Sequence, residues 1–97
     1  MSEKEQYQQK LQAQLDEWKA EIDKLKAKAS DASADAKLEM EKQIENLEEK
    51  VKEGKEKLSE LSEASDDSWE KLKGNISSTW DSIKSAFSDA ASKFKKK

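Results

Sequence analysis

The side chains with the clearest potential for chemistry are the clustered glutamates Glu45, Glu48, Glu49 and Glu53. Carboxylates at such spacings on a helix occur in the metal sites of helical bundles, but those sites also use histidine. The chain contains no histidine and no cysteine. The four glutamates also lie between the apolar positions of their helix, on a face that we expect to be solvated. We therefore predict no metal site and no bound cofactor.

Other catalytic chemistry has few candidates. Without histidine or cysteine, the chain has no unperturbed side-chain base that titrates near neutral pH and no thiolate nucleophile. No serine has an evident base partner in the sequence, and no glycine-rich loop could hold a phosphate. We predict that the protein is not an enzyme and has no small-molecule substrate.

The charged residues also limit the choice of partner. All 19 cations are lysine, set against 22 acids, and the net charge is −3. Bidentate arginine contacts to phosphate or guanine are therefore impossible, and the acidic balance disfavours nucleic acid. Residues 64–97 nevertheless carry seven lysines and only five acids. This excess of positive charge favours contact with an anionic surface near the C-terminus.

Helices must position any binding surface. With no proline, two glycines and few β-branched or aromatic residues, the sequence predicts an all-α protein. Apolar residues mostly recur at steps of three and four from Leu11 onward, which is the heptad pattern of a coiled coil. We expect this seam to mediate homo-oligomerisation. The residues assigned to it are Leu11, Leu15, Trp18, Ile22, Leu25, Ile44, Leu47, Val51, Leu58 and Leu61.

The predicted organisation is a coiled-coil helix in residues 1–63, helical from about residue 3, followed by an amphipathic helix in residues 64–97. The seam keeps its phase through the alanine- and serine-rich stretch 27–36, which favours one continuous helix. Gly54 lies on the seam, where it either permits close helix packing or marks a weak point. The alternative is an antiparallel three-helix bundle with breaks near 30–35 and 62–67. In the second break, Asp67 with Glu70 predicts a helix N-cap.

The C-terminal helix shows a repeat of eleven residues. Trp69, Leu72 and Ile76 recur as Trp80, Ile83 and Phe87, and then as Ala91 and Phe94. Eleven residues make about three helical turns, so these side chains form one straight apolar stripe. The opposite face is rich in serine, and the helix ends in Lys93, Lys95, Lys96 and Lys97.

An apolar stripe opposite a weakly charged, serine-rich face is typical of helices that insert into lipid-packing defects. We predict a site that binds a membrane or a partner protein. It comprises Trp69, Leu72, Ile76, Trp80, Ile83, Phe87, Phe94, Lys93, Lys95, Lys96 and Lys97. Permanent packing of the same stripe against protein is the competing interpretation.

The whole chain resembles a group of small, largely uncharacterised bacterial coiled-coil proteins, some of them described as stress-response proteins. The resemblance rests on residues 11–29 (LQAQLDEWKAEIDKLKAKA), 36–50 (AKLEMEKQIENLEEK) and the SWEKLKGNI…WDSI block in 68–83. It implies a cytosolic, non-enzymatic role linked to stress, and it supplies no ligand or catalytic residues.

The favoured hypothesis is a self-associating protein whose C-terminal helix binds a membrane or another apolar surface in stress protection. We expect it in the cytoplasm, with peripheral contact at the inner membrane, because no signal peptide or membrane span is evident. The first alternative is a soluble helical-bundle scaffold or adaptor without membrane contact. The second is a desiccation protectant that is disordered in water and helical when dry.

Overall fold

The computed structural model describes residues 2–95, with side chains described as far as Lys93, and these residues form three α-helices. Helix α1 spans Glu3–Ser30, α2 spans Ala34–Glu63 and α3 spans Trp69–Lys95. No strand occurs within residues 2–95. The predicted all-α class is confirmed, and the helices are arranged as the three-helix bundle that the alternative hypothesis describes.

A turn at residues 31–33 shows that the continuous helix predicted for residues 3–63 is wrong. The backbone N–H groups of Asp31 and Ala32 donate to the carbonyls of Lys28 and Ala29, which closes the end of α1. Ser33 then has extended backbone angles (φ −63°, ψ 160°) and precedes α2. The alanine-only seam in this region offers little apolar area to bury in a straight helix, whereas folding back lets α1 and α2 bury their larger residues against each other.

The second break lies at residues 64–68 and overlaps the stretch 62–67 where the sequence suggested one. Ser65, rather than the predicted Asp67, satisfies the start of α3. Its hydroxyl accepts from the N–H of Ser68 at 3.3 Å, and its carbonyl accepts from the N–H of Trp69 at 3.0 Å. Capping therefore begins two residues earlier than the sequence pattern predicted.

At the beginning of α1, Ser2 caps the helix, as the capping-box pattern of Ser2 and Glu5 in the sequence indicates. The Ser2 hydroxyl accepts from the N–H of Glu5 at 3.2 Å and lies 3.4 Å from its carboxylate. Such a bond satisfies one of the N–H groups that have no partner within the first helical turn.

Cross-helix contacts define the direction of each helix. The Lys26 ammonium and the Glu48 carboxylate are 3.0 Å apart, which aligns the second half of α1 with the middle of α2. The Lys4 ammonium donates to the backbone carbonyls of Ser62 and Ala64, so the beginning of α1 meets the end of α2. The two helices are antiparallel, and α3 turns back again along α2.

The core runs along the inside of this 51 × 19 × 17 Å bundle. Buried apolar side chains from all three helices form one cluster without a buried charged or polar residue among those described. The cluster contains Leu11, Leu15, Ile22, Leu25, Ala29, Ile44, Leu47, Val51, Leu58, Leu61, Trp69, Ile76, Trp80, Ile83 and Ala90. Residues that the sequence analysis assigned to the heptad seam and to the apolar stripe of the C-terminal helix therefore share one core.

Candidate functional site

The predicted contact stripe of α3 faces the inside of the bundle. Trp69, Ile76, Trp80 and Ile83 are buried, and Leu72 is partly buried against the same core. Phe87 is also partly buried, and Lys93 is exposed. The side chains of Phe94 and Lys95, together with Lys96 and Lys97, lie outside the described residues. Most of the predicted contact surface is thus covered by α1 and α2.

Burial along α3 follows a period of seven rather than eleven. Trp69, Ile76, Ile83 and Ala90 are spaced by seven residues and all are buried. Ala91, which the eleven-residue repeat placed on the stripe, is exposed, whereas Ala90 is 0% exposed. Packing against neighbouring helices at small crossing angles follows a period near 3.5 residues per turn, so the inward face shifts relative to the sequence repeat.

The residues predicted to mediate homo-oligomerisation also point inward. Nine of the ten are buried in the core formed by this one chain, and the tenth, Trp18, is partly buried. Their apolar surface is thus covered without a second copy of the chain.

Five aromatic side chains line the contact between α1 and α3, and we call this group the aromatic seam: Tyr7, Trp18, Trp69, Trp80 and Phe87. The ring centroids of Tyr7 and Trp69 are 5.9 Å apart. Those of Trp18 and Trp80 are 5.8 Å apart, and Trp18 stacks on Phe87 at 5.7 Å. Such offset or tilted pairs stabilise a packed core beyond their buried area.

The aromatic seam shows that α1 and α3 are parallel. Tyr7 and Trp18 are separated by eleven residues, as are their partners Trp69 and Trp80. Sequence reasoning assigned Trp18 to the heptad seam and gave Tyr7 no role. The equal spacing of eleven residues in α1 and in α3 was the signal that could have predicted these pairs. It predicts them only if α1 and α3 are already known to be parallel.

Lys73 covers one end of the aromatic seam. Its ammonium lies 5.6 Å from the Tyr7 ring centroid and 5.2 Å from that of Trp69, within the range of a cation–π interaction. Partial burial raises the pKa of the Tyr7 hydroxyl above its ordinary value, because burial disfavours the phenolate. Sequence reasoning did not single out Lys73.

The Trp80 indole N–H is buried and has no hydrogen-bond partner among the residues that the structure describes. The residue is only 4% exposed, so water does not reach it freely. A buried donor without an acceptor typically costs about 1–3 kcal/mol. Trp80 therefore stabilises the bundle by burying apolar surface, while its unpaired N–H destabilises the bundle.

The clustered glutamates lie on the surface. Glu45, Glu48, Glu49 and Glu53 are exposed, and Glu48 pairs with Lys26. The hydrogen bond that the Lys26 ammonium donates to Glu48, followed by the negative charge of Glu48, raises the pKa of Lys26. Within residues 2–95, no three acidic side chains converge as a metal-binding group would require.

None of the helices formed by the described residues is both long enough and apolar enough to span a bilayer.

Comparison with known protein families gives a match in α3. A family model described as a TMP repeat matches residues 69–79 and 80–90, two consecutive units of eleven residues in α3. The units coincide with the Trp69 and Trp80 repeats identified in the sequence, and they indicate a helical repeat-type protein. The match covers less than half of the chain. No curated protein and no solved structure matches it.

Proposed function

We propose that this protein is a non-enzymatic helical bundle that binds an apolar surface, specifically a phospholipid membrane, when the bundle opens. One observation carries the proposal: α3 separates its apolar stripe completely from a face of exposed serines. That face comprises Ser77, Ser78, Ser82, Ser85, Ser88 and Ser92. A helix with this division can exchange a protein core for the acyl region of a membrane while its serine face stays hydrated.

The bundle is small, so the free-energy cost of opening it is small enough for lipid insertion to offset. A domain of 97 residues typically has a stability of about 5–10 kcal/mol. Opening exposes large side chains such as Trp69, Ile76 and Trp80, and insertion into lipid buries them again. Each large apolar side chain contributes about 1.5–3 kcal/mol when transferred from water, so a few of them offset the cost of opening.

The proposed biological setting follows the resemblance to bacterial stress-response coiled-coil proteins. We propose a cytoplasmic protein that attaches peripherally to the inner membrane under stress, with the exposed Lys93 and the lysines after it near anionic lipid. We further propose that self-association exchanges helices between chains, because the predicted oligomerisation residues are already packed within one chain.

A second candidate function is a scaffold or adaptor that stays closed. The observation that favours it is the burial of Trp69, Ile76 and Ile83 in the bundle core, which leaves them no free apolar surface. In this case partners would bind the outer, charged faces of the helices.

Vesicles containing phospholipids brominated on the acyl chains distinguish the two candidates. Bromine quenches tryptophan only at close range, so membrane insertion predicts quenching together with co-flotation of the protein. The result expected for the scaffold is unchanged emission and no flotation, and this result would refute the membrane proposal.

Matched variants identify the surface that is responsible for membrane binding. Ser78→Glu with Ser85→Glu adds acidic groups to the exposed face of α3 without changing the core, and it should weaken binding to anionic vesicles about tenfold. Leu38→Ser is the control, because Leu38 is an exposed apolar residue on α2 (63%). Flotation that depends on Leu38 but not on the serine face would contradict the proposed role of α3.

A further inference from the structure

We infer that the bundle opens between α1 and α3, so that Tyr7 and Trp18 of α1 contact the same anionic phospholipid membrane as the apolar stripe of α3. The inference rests on the proposed function and deepens it. It assigns a membrane-contacting role to the aromatic seam and to two residues of α1. The competing route is the release of α3 from both other helices.

Chain connectivity favours the α1–α3 contact as the opening point. Residues 31–33 join α1 to α2, and residues 64–68 join α2 to α3. No loop joins α1 directly to α3. These two helices can therefore separate while both antiparallel hairpins, α1–α2 and α2–α3, remain closed.

Packing at α2 is closer than packing between α1 and α3. Gly54 brings the α2 backbone so near its neighbours that an added Cβ would lie 3.0 Å from both Leu15 of α1 and Ile83 of α3. By contrast, the backbones of α1 and α3 approach each other at few positions. The bulky rings of the aromatic seam, with centroids 5.7–5.9 Å apart, fill the space between them.

Polar contacts also connect α2 to both other helices more strongly than they connect α1 to α3. Lys26 with Glu48, and Lys4 with the carbonyls of Ser62 and Ala64, connect α1 to α2. The Lys50 ammonium and the Ser82 hydroxyl, 3.5 Å apart, connect α2 to α3.

Among the side chains that the structure describes, α1 and α3 share no hydrogen bond or ion pair. Their polar contact is the cation–π interaction of Lys73 with Tyr7. Separating these two helices therefore breaks no hydrogen bond, whereas releasing α3 from α2 breaks the one between Lys50 and Ser82.

The chemistry of the aromatic seam suits a membrane interface. Tryptophan and tyrosine prefer the region where acyl chains meet headgroups, because their rings are apolar and their N–H or O–H groups need a partner. The Trp80 N–H has no hydrogen-bond partner within the described part of the bundle and would gain headgroup or water acceptors at the interface. Lys73, which lies over the Tyr7 and Trp69 rings, would face anionic headgroups.

Two chemical clamps distinguish the opening routes, and the absence of native cysteine allows both. Lys10→Cys with Lys73→Cys, joined by a short bismaleimide, fixes α1 to α3 across the cleft that both residues line. Lys50→Cys with Ser82→Cys, joined in the same way, fixes α2 to α3. Each unlinked double variant serves as the control for its own substitutions.

The α1–α3 clamp should weaken binding to anionic vesicles by at least about tenfold, and the α2–α3 clamp should change it by less than about twofold. Equal inhibition by both clamps would overturn the inference, because it would show that α3 leaves α2 as well. Full binding with the α1–α3 clamp would also overturn it. If the unclamped protein does not bind vesicles, the proposed function itself fails.

A second measurement tests the role of α1 directly. In Trp69→Phe with Trp80→Phe, the remaining tryptophan is Trp18. Acyl-chain bromine should quench its emission when the protein binds. Binding without quenching of Trp18 would show that α1 stays away from the lipid and would overturn the inference.

Discussion

At the scale of single residues, Gly54 explains how three helices with large core side chains fit around a narrow axis. It is buried in α2, and the helix continues through it without a break. Of the two roles that the sequence allowed, close packing is therefore the one observed. Gly74 on α3 differs, because no described neighbour lies within 4 Å of the position of an added Cβ.

These two glycines predict opposite effects of alanine. Gly74→Ala should raise the free energy of unfolding by up to about 1 kcal/mol, since alanine favours helix and meets no neighbour. Gly54→Ala should lower it by about 1 kcal/mol, because pushing Leu15 and Ile83 outward in a packed core outweighs the helix propensity gained. Urea denaturation measures both, and equal stabilisation by the two variants would contradict the close packing at Gly54.

Tyr7 and Lys26 predict that the bundle loses stability at alkaline pH. Burial raises the pKa of Tyr7, so above pH about 10 the unfolded chain loses its phenolic proton first and unfolding is favoured. The hydrogen bond that Lys26 donates to Glu48 raises the pKa of Lys26, and its stabilising effect is likewise lost as the pH rises through that pKa.

Melting temperatures between pH 8 and 11 test this expectation. Tyr7→Phe should make the alkaline decline shallower, because the variant has no phenol to ionise. A decline of unchanged steepness in Tyr7→Phe would show that the burial of Tyr7 does not contribute to it.

At the scale of helices, the sequence predicted which segments are helical better than it predicted where each helix ends. The apolar periodicity correctly identified the inward face of α1, of α2 and of α3 as far as Phe87. The capping-box pattern of Ser2 and Glu5 correctly marked the start of α1. Phase did not reveal the turn at 31–33, because a heptad seam can stay in register whether the chain continues or folds back. The sequence also did not reveal that Ala90, rather than Ala91, is buried. This difference depends on the angle at which α3 packs against its neighbours.

The helix starts predict a matched pair of effects. Ser2→Ala removes the acceptor for the Glu5 N–H and should cost about 1 kcal/mol of stability. Ser33 precedes α2 but makes no side-chain capping bond, so Ser33→Ala should cost less than about 0.5 kcal/mol. Thermal unfolding monitored by circular dichroism gives both values, and a larger loss for Ser33→Ala would contradict the capping geometry.

At the scale of the whole molecule, the same core can be formed within one chain or between two. The in-phase seam through 27–36 means that a straightened α1–α2 segment would present the same apolar residues to a second copy. The proposed self-association is thus a domain swap, in which the turn at 31–33 acts as the hinge. Sequence pattern alone cannot separate these states, because both satisfy the same periodicity.

Ala34→Pro should separate the two states. Proline is favoured at the first position of a helix, and Ser33 before it already has the extended angles that proline requires. The closed bundle should therefore accept the substitution. A continuous helix through residue 34 would lose about 3 kcal/mol, because proline removes a hydrogen bond and clashes with the preceding turn.

Sedimentation equilibrium over a range of concentrations measures the outcome. The unmodified chain should change from 11.0 kDa to twice that mass as its concentration rises, whereas Ala34→Pro should remain at 11.0 kDa with unchanged helical circular dichroism. Ala34→Ser is the control, since serine is compatible with both the turn and the straight helix and should still dimerise. Dimers of undiminished affinity in Ala34→Pro would show that the chains associate through their outer surfaces, with the turn at 31–33 intact in both copies.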